Sequence, residues 1–561
     1  MRYSDPLNNP WYYLDNFEIV LDWVRQRYHD LLLPEEADFI RKFRQTPRPA
    51  RALLVRMIMR KGDVFRADKL RYPEIGCPLA ALAALADTAW VDANPALTVD
   101  ELFGLLLRSE LGQLLGPLLA SIGVAGATKA AQRQALLALN LEPRRLLQWA
   151  ESAGKQPVVD PIYRLNIRPL CDRLRLMFFG NLHQDWTEFV LADLGTHTYE
   201  AVSLDASSRA FQQREQIDAY LHLHQCRQEL DEATDADALN ILLARIPTEP
   251  YPNDWLEERR SKLLFRLGRH AERQQQWSVA ESCYQRSAYR EARTRRIRVL
   301  ERNQQYTAAH ELAQLALTDT TNDAEQQAVL RMMPRLQRLC GYASKKTASC
   351  PGIVRIDVTL PAPAQTTRIE EEVRQHLAED AAPAFYVENA LFNSLFGLLC
   401  WDTLFASVPG AFFHPFQHGP ADLLHADFRK RRQSLFAEHF DQLHTGQYQE
   451  TIRCNFERKA GVLSPFVYWG ALPEQLLDLA LDCIPAAHLK AAFERLLNDI
   501  RGNRSGLPDL IQFWPEQRRY RLIEVKGPGD RLQDNQLRWL DHFNRHGVPV
   551  SVCYVQRPVS S

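Results

Sequence analysis

The chain has 561 residues, with 68 Lys plus Arg against 69 Asp plus Glu and a formal charge of −1. At about 150 residues per domain that length implies three or four domains, and the charge balance excludes a globally basic protein, so any polyanion-binding surface must be local. Hydrophobic residues at 46% and charged residues at 24% exclude disorder and collagen-like composition and leave material for several cores. Ten cysteines occur without one C-x-x-C, no long uncharged apolar run is present, and the N-terminus lacks a signal-peptide pattern. These features predict an intracellular, multidomain protein without a membrane span.

Residues 1–92 read as a helical domain, with Trp11, Phe17, Val20, Leu21, Trp23 and Val24 at helical spacing. Pro34 followed by Glu35 and Glu36 is a helix opening. Arg60, Lys61, Arg66 and Lys69 then punctuate apolar positions. They fit either a solvated helix face or a basic ridge for DNA phosphates. Residues 93–160 form a second small unit, in which Thr98 or Asp100 caps one helix and Gly123 and Gly126 precede another. Thr128 and Lys129 open that helix, and free N–H groups at such an end suit a phosphate. The pattern resembles a SAP-type DNA-binding module, from which the apolar insert Leu105 to Leu118 departs.

Residues 161–350 are helical in character. QQQWSVAESC and NQQYTAAHEL align at an offset of 29 residues, placing Trp277 against Tyr306 and Ala280 against Ala309. That recurrence suggests TPR-like stacked helix pairs. The same region is strongly basic, with thirteen Lys or Arg against four Glu between Arg259 and Arg302. Arg290, Arg293, Arg295, Arg296 and Arg298 crowd into nine residues. Acids to pair them at i±4 are too few, which predicts an arginine surface for nucleic-acid backbone. Pro351, Pro361 and Pro363 mark a linker or strand-bearing connection over 351–383.

The C-terminal unit, 384–561, carries the chemistry. In GLPDLIQFWPEQRRYRLIEVKG, two strand-like runs, Asp509 to Trp514 and Tyr520 to Val525, flank a polar turn and predict a hairpin. Side chains alternate along a strand, so Glu524 and Lys526 share a face while Val525 points into the core. Pairing across the hairpin can set Asp509 beside Glu524. Two carboxylates that close need a cation between them, and oxygen ligands suit Mg²⁺ or Mn²⁺, with the Val525 carbonyl as a further ligand. Lys526 would orient water or stabilise developing charge, and phosphodiester hydrolysis follows. His414, His418 and His425 with Asp422, and His222 with Cys226, are poorer metal sets, because prolines interrupt the first and the second lacks further ligands.

The P-D-x(14)-E-x-K pattern, with Pro508 before Asp509, resembles the PD-(D/E)XK nuclease superfamily. GLPDL, LIEVKGPGDRL and QLRWL resemble the VRR-NUC domain, and ENALFNSLFGLLCWDTLF, PADLL and LLVRMIMRKGDVFRADKLRYPEIG resemble its Fanconi-associated nuclease branch. The fold class implied is a multidomain, mostly α protein: a helical N-terminal and SAP-like region, TPR-like helical repeats and a C-terminal α/β PD-(D/E)XK nuclease core. The resemblance implies a metal-dependent, structure-specific DNA nuclease that cuts 5′ flaps and branched DNA and acts in interstrand crosslink repair. It makes Asp509 and Glu524 metal ligands, Lys526 the catalytic lysine, Glu388 an acid on the helix that opens the domain, and Gln536 a neighbour of the site. Asp422 matches a family acid, with a structural role equally open. No ubiquitin-binding finger is visible, which fits a compact bacterial member working in the cytoplasm at the nucleoid; a eukaryotic one would be nuclear. A Holliday-junction resolvase and a non-catalytic DNA-binding scaffold are the rival readings.

Overall fold

The computed structural model describes residues 9–150, 160–184, 186, 197–233, 235–320, 322–342, 353–361 and 368–557. The chain divides into two compact units, residues 1–196 with 211–217, and residues 197–210 with 218–561. Among the described residues no helix is long and apolar enough to cross a membrane.

In the first unit, helices Tyr12–Tyr28, Pro34–Gln45 and Arg48–Met59 bury Phe17, Val20, Leu21, Val24, Phe39, Phe43 and Leu53. These are the apolar positions that recur at helical spacing. Glu36 caps its helix by accepting from the Leu33 N–H at 2.9 Å. Its buried carboxylate is also paired with Arg173 and Arg214. Strands β1 (Val64–Arg66), β2 (Val91–Asp92) and β5 (Ile162–Leu165) form an antiparallel sheet in the order β1-β5-β2, and β3 (Ala96–Leu97) pairs with β4 (Arg144–Arg145). Thr98 caps helix Val99–Leu105 in a capping box with Glu101. The apolar insert forms helix Arg108–Ser121, whose Leu111, Leu114, Leu115 and Leu119 are the core of this module.

In the second unit, helices Asp254–Arg273, Trp277–Gln285, Ala292–Arg302, Tyr306–Thr318 and Asp323–Leu339 each pack on the next. The 29-residue offset is present in three dimensions. Gln275 and Gln304 both turn through positive φ, at 59° and 60°, and Ala280 and Ala309 are both fully buried. Gly268 permits a close helix contact, since a Cβ there would meet Tyr284 Cε1 at 2.8 Å.

The nuclease sheet has five strands in the order β6-β10-β9-β8-β7, formed by β6 (Val354–Thr359), β7 (Ala384–Tyr386), β8 (Leu510–Trp514), β9 (Arg519–Lys526) and β10 (Val550–Gln556). β10 runs parallel to both neighbours, whereas β7, β8 and β9 are antiparallel. The expected hairpin is β8–β9. Two predicted boundaries change. Residues 353–361, assigned by sequence to a connection, supply the edge strand β6, because their extended backbone completes the β10 ladder; part of that connection, 351–352 and 362–367, lies outside the described residues. Helix Leu391–Leu399 begins after Glu388, because the chain is still paired at Val387, whose N–H donates to the Asp509 carbonyl at 2.8 Å. Glu388 therefore sits on the strand-to-helix turn and not in the helix.

Replacing Gly268 with Ala should destabilise the second unit by about 1–3 kcal/mol through overpacking against Tyr284. Gly112→Ala, mid-helix with nothing within 4 Å of the new Cβ, should stabilise by about 0.5–1 kcal/mol. Chemical denaturation of both variants checks the signs.

Candidate active site

The register Leu510↔Ile523 sets the preceding residue, Asp509, opposite Glu524. The Asp509 carboxylate accepts from the Val525 N–H at 2.8 Å, which fixes it against the neighbouring strand. Glu524 and Lys526 lie on one face of β9, and Nζ of Lys526 stands 2.8 Å from Glu524 Oε1 as an ion pair. Asp509, Glu524 and Lys526 are 6%, 1% and 7% exposed, so all three charges are buried. The turn that delivers Asp509 passes tight against helix Asp534–Arg545: a Cβ on Gly506, at φ +88°, would meet Asn535 at 2.8 Å.

Burial pushes the Asp509 carboxyl up to about 8, the Glu524 charge adds to this, and the Val525 N–H opposes it. Glu524 is raised too, first by burial, with Lys526 opposing and Glu388 and Glu370 adding repulsion. Glu388 is exposed; it accepts from the Tyr386 hydroxyl and, at 3.1 Å, from the Asn389 amide. Asn389, at φ 53°, also accepts from the Leu507 N–H at 3.2 Å and so ties this turn to the Asp509 segment. Burial, the Glu388 hydrogen bond and the charges of Glu388, Asp509 and Glu370 keep the Tyr386 phenol protonated.

Glu370 is the acid that sequence reasoning missed. It reaches the site from helix Ile369–Leu377. Its signal was the EEE run at that helix's N-terminus, on a segment taken for a connection. Gln536 caps helix Asp534–Arg545, its side chain accepting from the Gln533 N–H at 2.8 Å.

The residue set fits a hard divalent cation. The Glu524 carboxylate is buried, its Oε2 has no hydrogen-bond donor and its Oε1 meets the Lys526 ammonium at 2.8 Å, so the desolvated charge calls for a further ligand. Among the described residues no group of three or more His, Cys, Asp or Glu side chains is drawn together as a metal-holding cluster, so the fit rests on the buried pair Asp509 and Glu524. Asp422 lies elsewhere, fully buried between Arg431 at 2.7 Å and Arg432 at 2.8 Å, and is structural. His425 pairs with Glu258 at 2.5 Å, and the His222 ring bonds the Arg245 carbonyl at 2.9 Å.

Several residues expected on a DNA surface are engaged by other groups of the protein. Arg66 is buried between Glu110 at 2.8 Å and Asp160 at 2.9 Å. The Thr128 hydroxyl caps its own helix, accepting from the Ala131 N–H at 3.3 Å, and Lys129 Nζ donates to the Leu106 carbonyl at 2.7 Å. The arginine run is not unpaired: Arg290 binds Asp499 through two bonds of 2.8 Å, Arg293 binds Glu325 at 2.7 Å, Arg295 binds Glu272 and Arg296 lies 3.3 Å from Glu281. The acids come from neighbouring helices or another domain, which i±4 counting does not see. Arg60 is exposed and donates to the Lys69 carbonyl at 2.9 Å; Lys61, Lys69 and Arg298 are exposed.

Three family profiles match the chain: "VRR-NUC domain" over residues 443–557, "FAN1, HTH domain" over 11–92, and "Fanconi anemia-associated nuclease SAP domain" over 96–149. The Fanconi-associated nuclease 1 homolog of Pseudomonas aeruginosa is 52% identical over 553 residues, covering 99% of this chain and 97% of the relative. The homolog of Arabidopsis thaliana is 24% identical over 618 residues, covering 97% and 67%. A solved structure described as paFAN1 bound to 2nt 5′ flap DNA with gap is 51% identical, with a TM-score of 0.87 and coverage of 99% and 100%. PD-(D/E)XK nucleases generally use divalent metals. Fold, acid–acid–lysine geometry and near-full-length likeness agree: the chain is a DNA nuclease and belongs to the Fanconi-associated nuclease family.

Proposed function

We propose that this nuclease hydrolyses a DNA phosphodiester near a 5′ flap at Asp509, Glu524, Glu388 and Lys526, with Mg²⁺ or Mn²⁺. The observation that carries the reading is the pair of buried carboxylates facing each other at the sheet end, one with an oxygen that has no donor, beside a buried ammonium. The flap preference is supported by the solved relatives, which hold 5′ flap DNA of one and two nucleotides. Interstrand crosslink repair is the process the family serves. The intact set of acids and lysine argues against a catalytically dead scaffold.

The side chains of Asp509, Glu524 and Glu388, with the Val525 carbonyl, would hold the cation. Bound there, a divalent ion supplies charge neutralisation at the phosphate and a more acidic water. Lys526, pinned to Glu524, is placed to orient the attacking water and to stabilise charge growing on the phosphate. Tyr386 and Asn389 aim the Glu388 carboxylate. Glu370 adds a negative charge that favours a cation at the mouth. Residues 1–92 and 93–160, together with the helical repeats, serve as the surfaces that hold duplex arms. The direct test incubates the protein with Mg²⁺ or Mn²⁺ on labelled 5′ flap, 3′ flap, fork, four-way junction and plain duplex; preference for the four-way junction would instead favour a resolvase.

Lys526→Ala should abolish cleavage while leaving DNA affinity within a few-fold; wild-type turnover would remove Lys526 from catalysis. Glu388→Gln should cut activity by orders of magnitude and raise the Mn²⁺ concentration required, with melting nearly unchanged, as read from rate against Mn²⁺.

Asp509 also makes metal-free stability depend on pH. Its folded carboxyl keeps a proton up to about 8, against 3.8 ordinarily. The folded state therefore binds more protons between those values, and stability falls as pH rises through that window. Asp509→Asn should flatten the fall in melting temperature measured with a chelator. Metal must displace the proton, so Mn²⁺ affinity should rise toward pH 8.

A further inference from the structure

The basic stretch of the helical repeats is largely neutralised between Arg290 and Arg296, but a second group of cations, on the first repeat helix and beside it, is not. Lys262 and Arg266 stand one turn apart on helix Asp254–Arg273, so they share a face. Glu258, one turn earlier on that face, is engaged by His425 at 2.5 Å. Arg501 is anchored beside the same helix: it donates to the Tyr289 hydroxyl at 2.9 Å, and the Tyr289 ring packs on Phe265 with centroids 4.7 Å apart. Arg227 is exposed on helix Arg214–Glu232. Among the described residues Lys262, Arg266 and Arg227 make no hydrogen bond or ion pair. Burial pushes the Lys262 ammonium down, and repulsion from Arg266, Arg501 and Arg227 adds to it while Glu258 opposes. Four cations are thus gathered around one acid that already has a partner.

Their place matters. Arg501 belongs to the short helix Ile500–Asn503, which leads through Gly506 and Pro508 to Asp509. That segment is fastened to the repeats by the Arg290–Asp499 pair at 2.8 Å. Holding like charges together unpaired costs folding free energy, and a phosphate backbone offsets that cost by replacing a condensed counterion cloud.

We infer that Lys262, Arg266, Arg227 and Arg501 form a phosphate-binding patch that grips the backbone of a duplex DNA arm next to the active site, in place of the Arg290–Arg298 run. This rests on the nuclease reading and adds to it the surface that seats the substrate. Phosphate binding of this kind is non-specific and additive, so the patch sets affinity and salt dependence and not base preference.

The test is fluorescence anisotropy with a labelled duplex carrying a 5′ flap, in chelator to block cleavage, over a KCl series. Removing one cation that neutralises a phosphate should lower the slope of log affinity against log salt by about 0.9. Lys262→Ala with Arg266→Ala should therefore lower the slope by about 1.8 and weaken binding at least ten-fold at moderate salt. Lys262→Arg with Arg266→Lys should keep the wild-type slope. Arg295→Ala, which breaks an internal pair, should lower melting and leave the slope unchanged. An unchanged slope in the double alanine variant, or a slope change confined to Arg295→Ala, overturns the patch. A slope that falls on single-stranded DNA alone overturns the assignment to a duplex arm. Cleavage of the flap by the wild-type protein is scored separately, so a protein that cuts but shows no slope change loses the patch and keeps the nuclease reading.

Discussion

Two buried carboxylates facing each other across one antiparallel ladder are the constraint on which this structure turns. Asp509 and Glu524 are held by strand register, not by flexible loops, and the Val525 N–H bond at 2.8 Å locks the first of them. Away from water their mutual repulsion is poorly screened, and Lys526 offsets only part of it. The result is a site whose acids resist ionisation until a cation arrives. Such preorganisation costs stability in the metal-free protein, and the rest of the nuclease core supplies what is needed to keep it folded. Leu510, Ile523, Val525, Cys553 and Val555 fill one side of the sheet, while Ile511, Phe513, Leu522, Trp539 and Phe543 fill the other.

The helical repeats extend that rigidity to the turn that carries Asp509. Arg290 reaches Asp499, Arg495 reaches Asp323 at 2.6 Å, and Arg538 reaches Gln327 at 2.6 Å. The Arg495 side chain is 5% exposed, so removing Asp323 would leave a nearly buried charge without its partner, a strongly unfavourable state. Arginine suits this work because its planar fork bonds a carboxylate at two points and loses little freedom in doing so. The same chemistry that would bind phosphates here binds protein carboxylates. Lys262, Arg266 and Arg227, which form no such pair among the described residues, are the cations that the proposed patch assigns to DNA.

The hairpin, the last strand and the pairing of Asp509 with Glu524 were legible in the sequence because they are local: turn residues, period-two alternation and a short spacing between the acids determine them. The 29-residue repeat was legible for a similar reason, since the same side chains solve the same helix-to-helix contact twice. What only the tertiary structure decided is long-range. Parallel pairing with β10 recruits Val354–Thr359 into the sheet from what reads as a connection, and continued pairing at Val387 holds Glu388 outside the helix on which the resemblance placed it. Glu370 joins the site through helix packing, and the arginines that look unpaired along the chain find acids on other helices. Hydrophobic periodicity and turn chemistry act over a few residues and survive in one dimension, whereas Coulomb partners and sheet edges are chosen by distance in space. A one-dimensional count of charges therefore identified the cations but not the carboxylates that Arg66, Arg290, Arg293, Arg295 and Arg296 pair with.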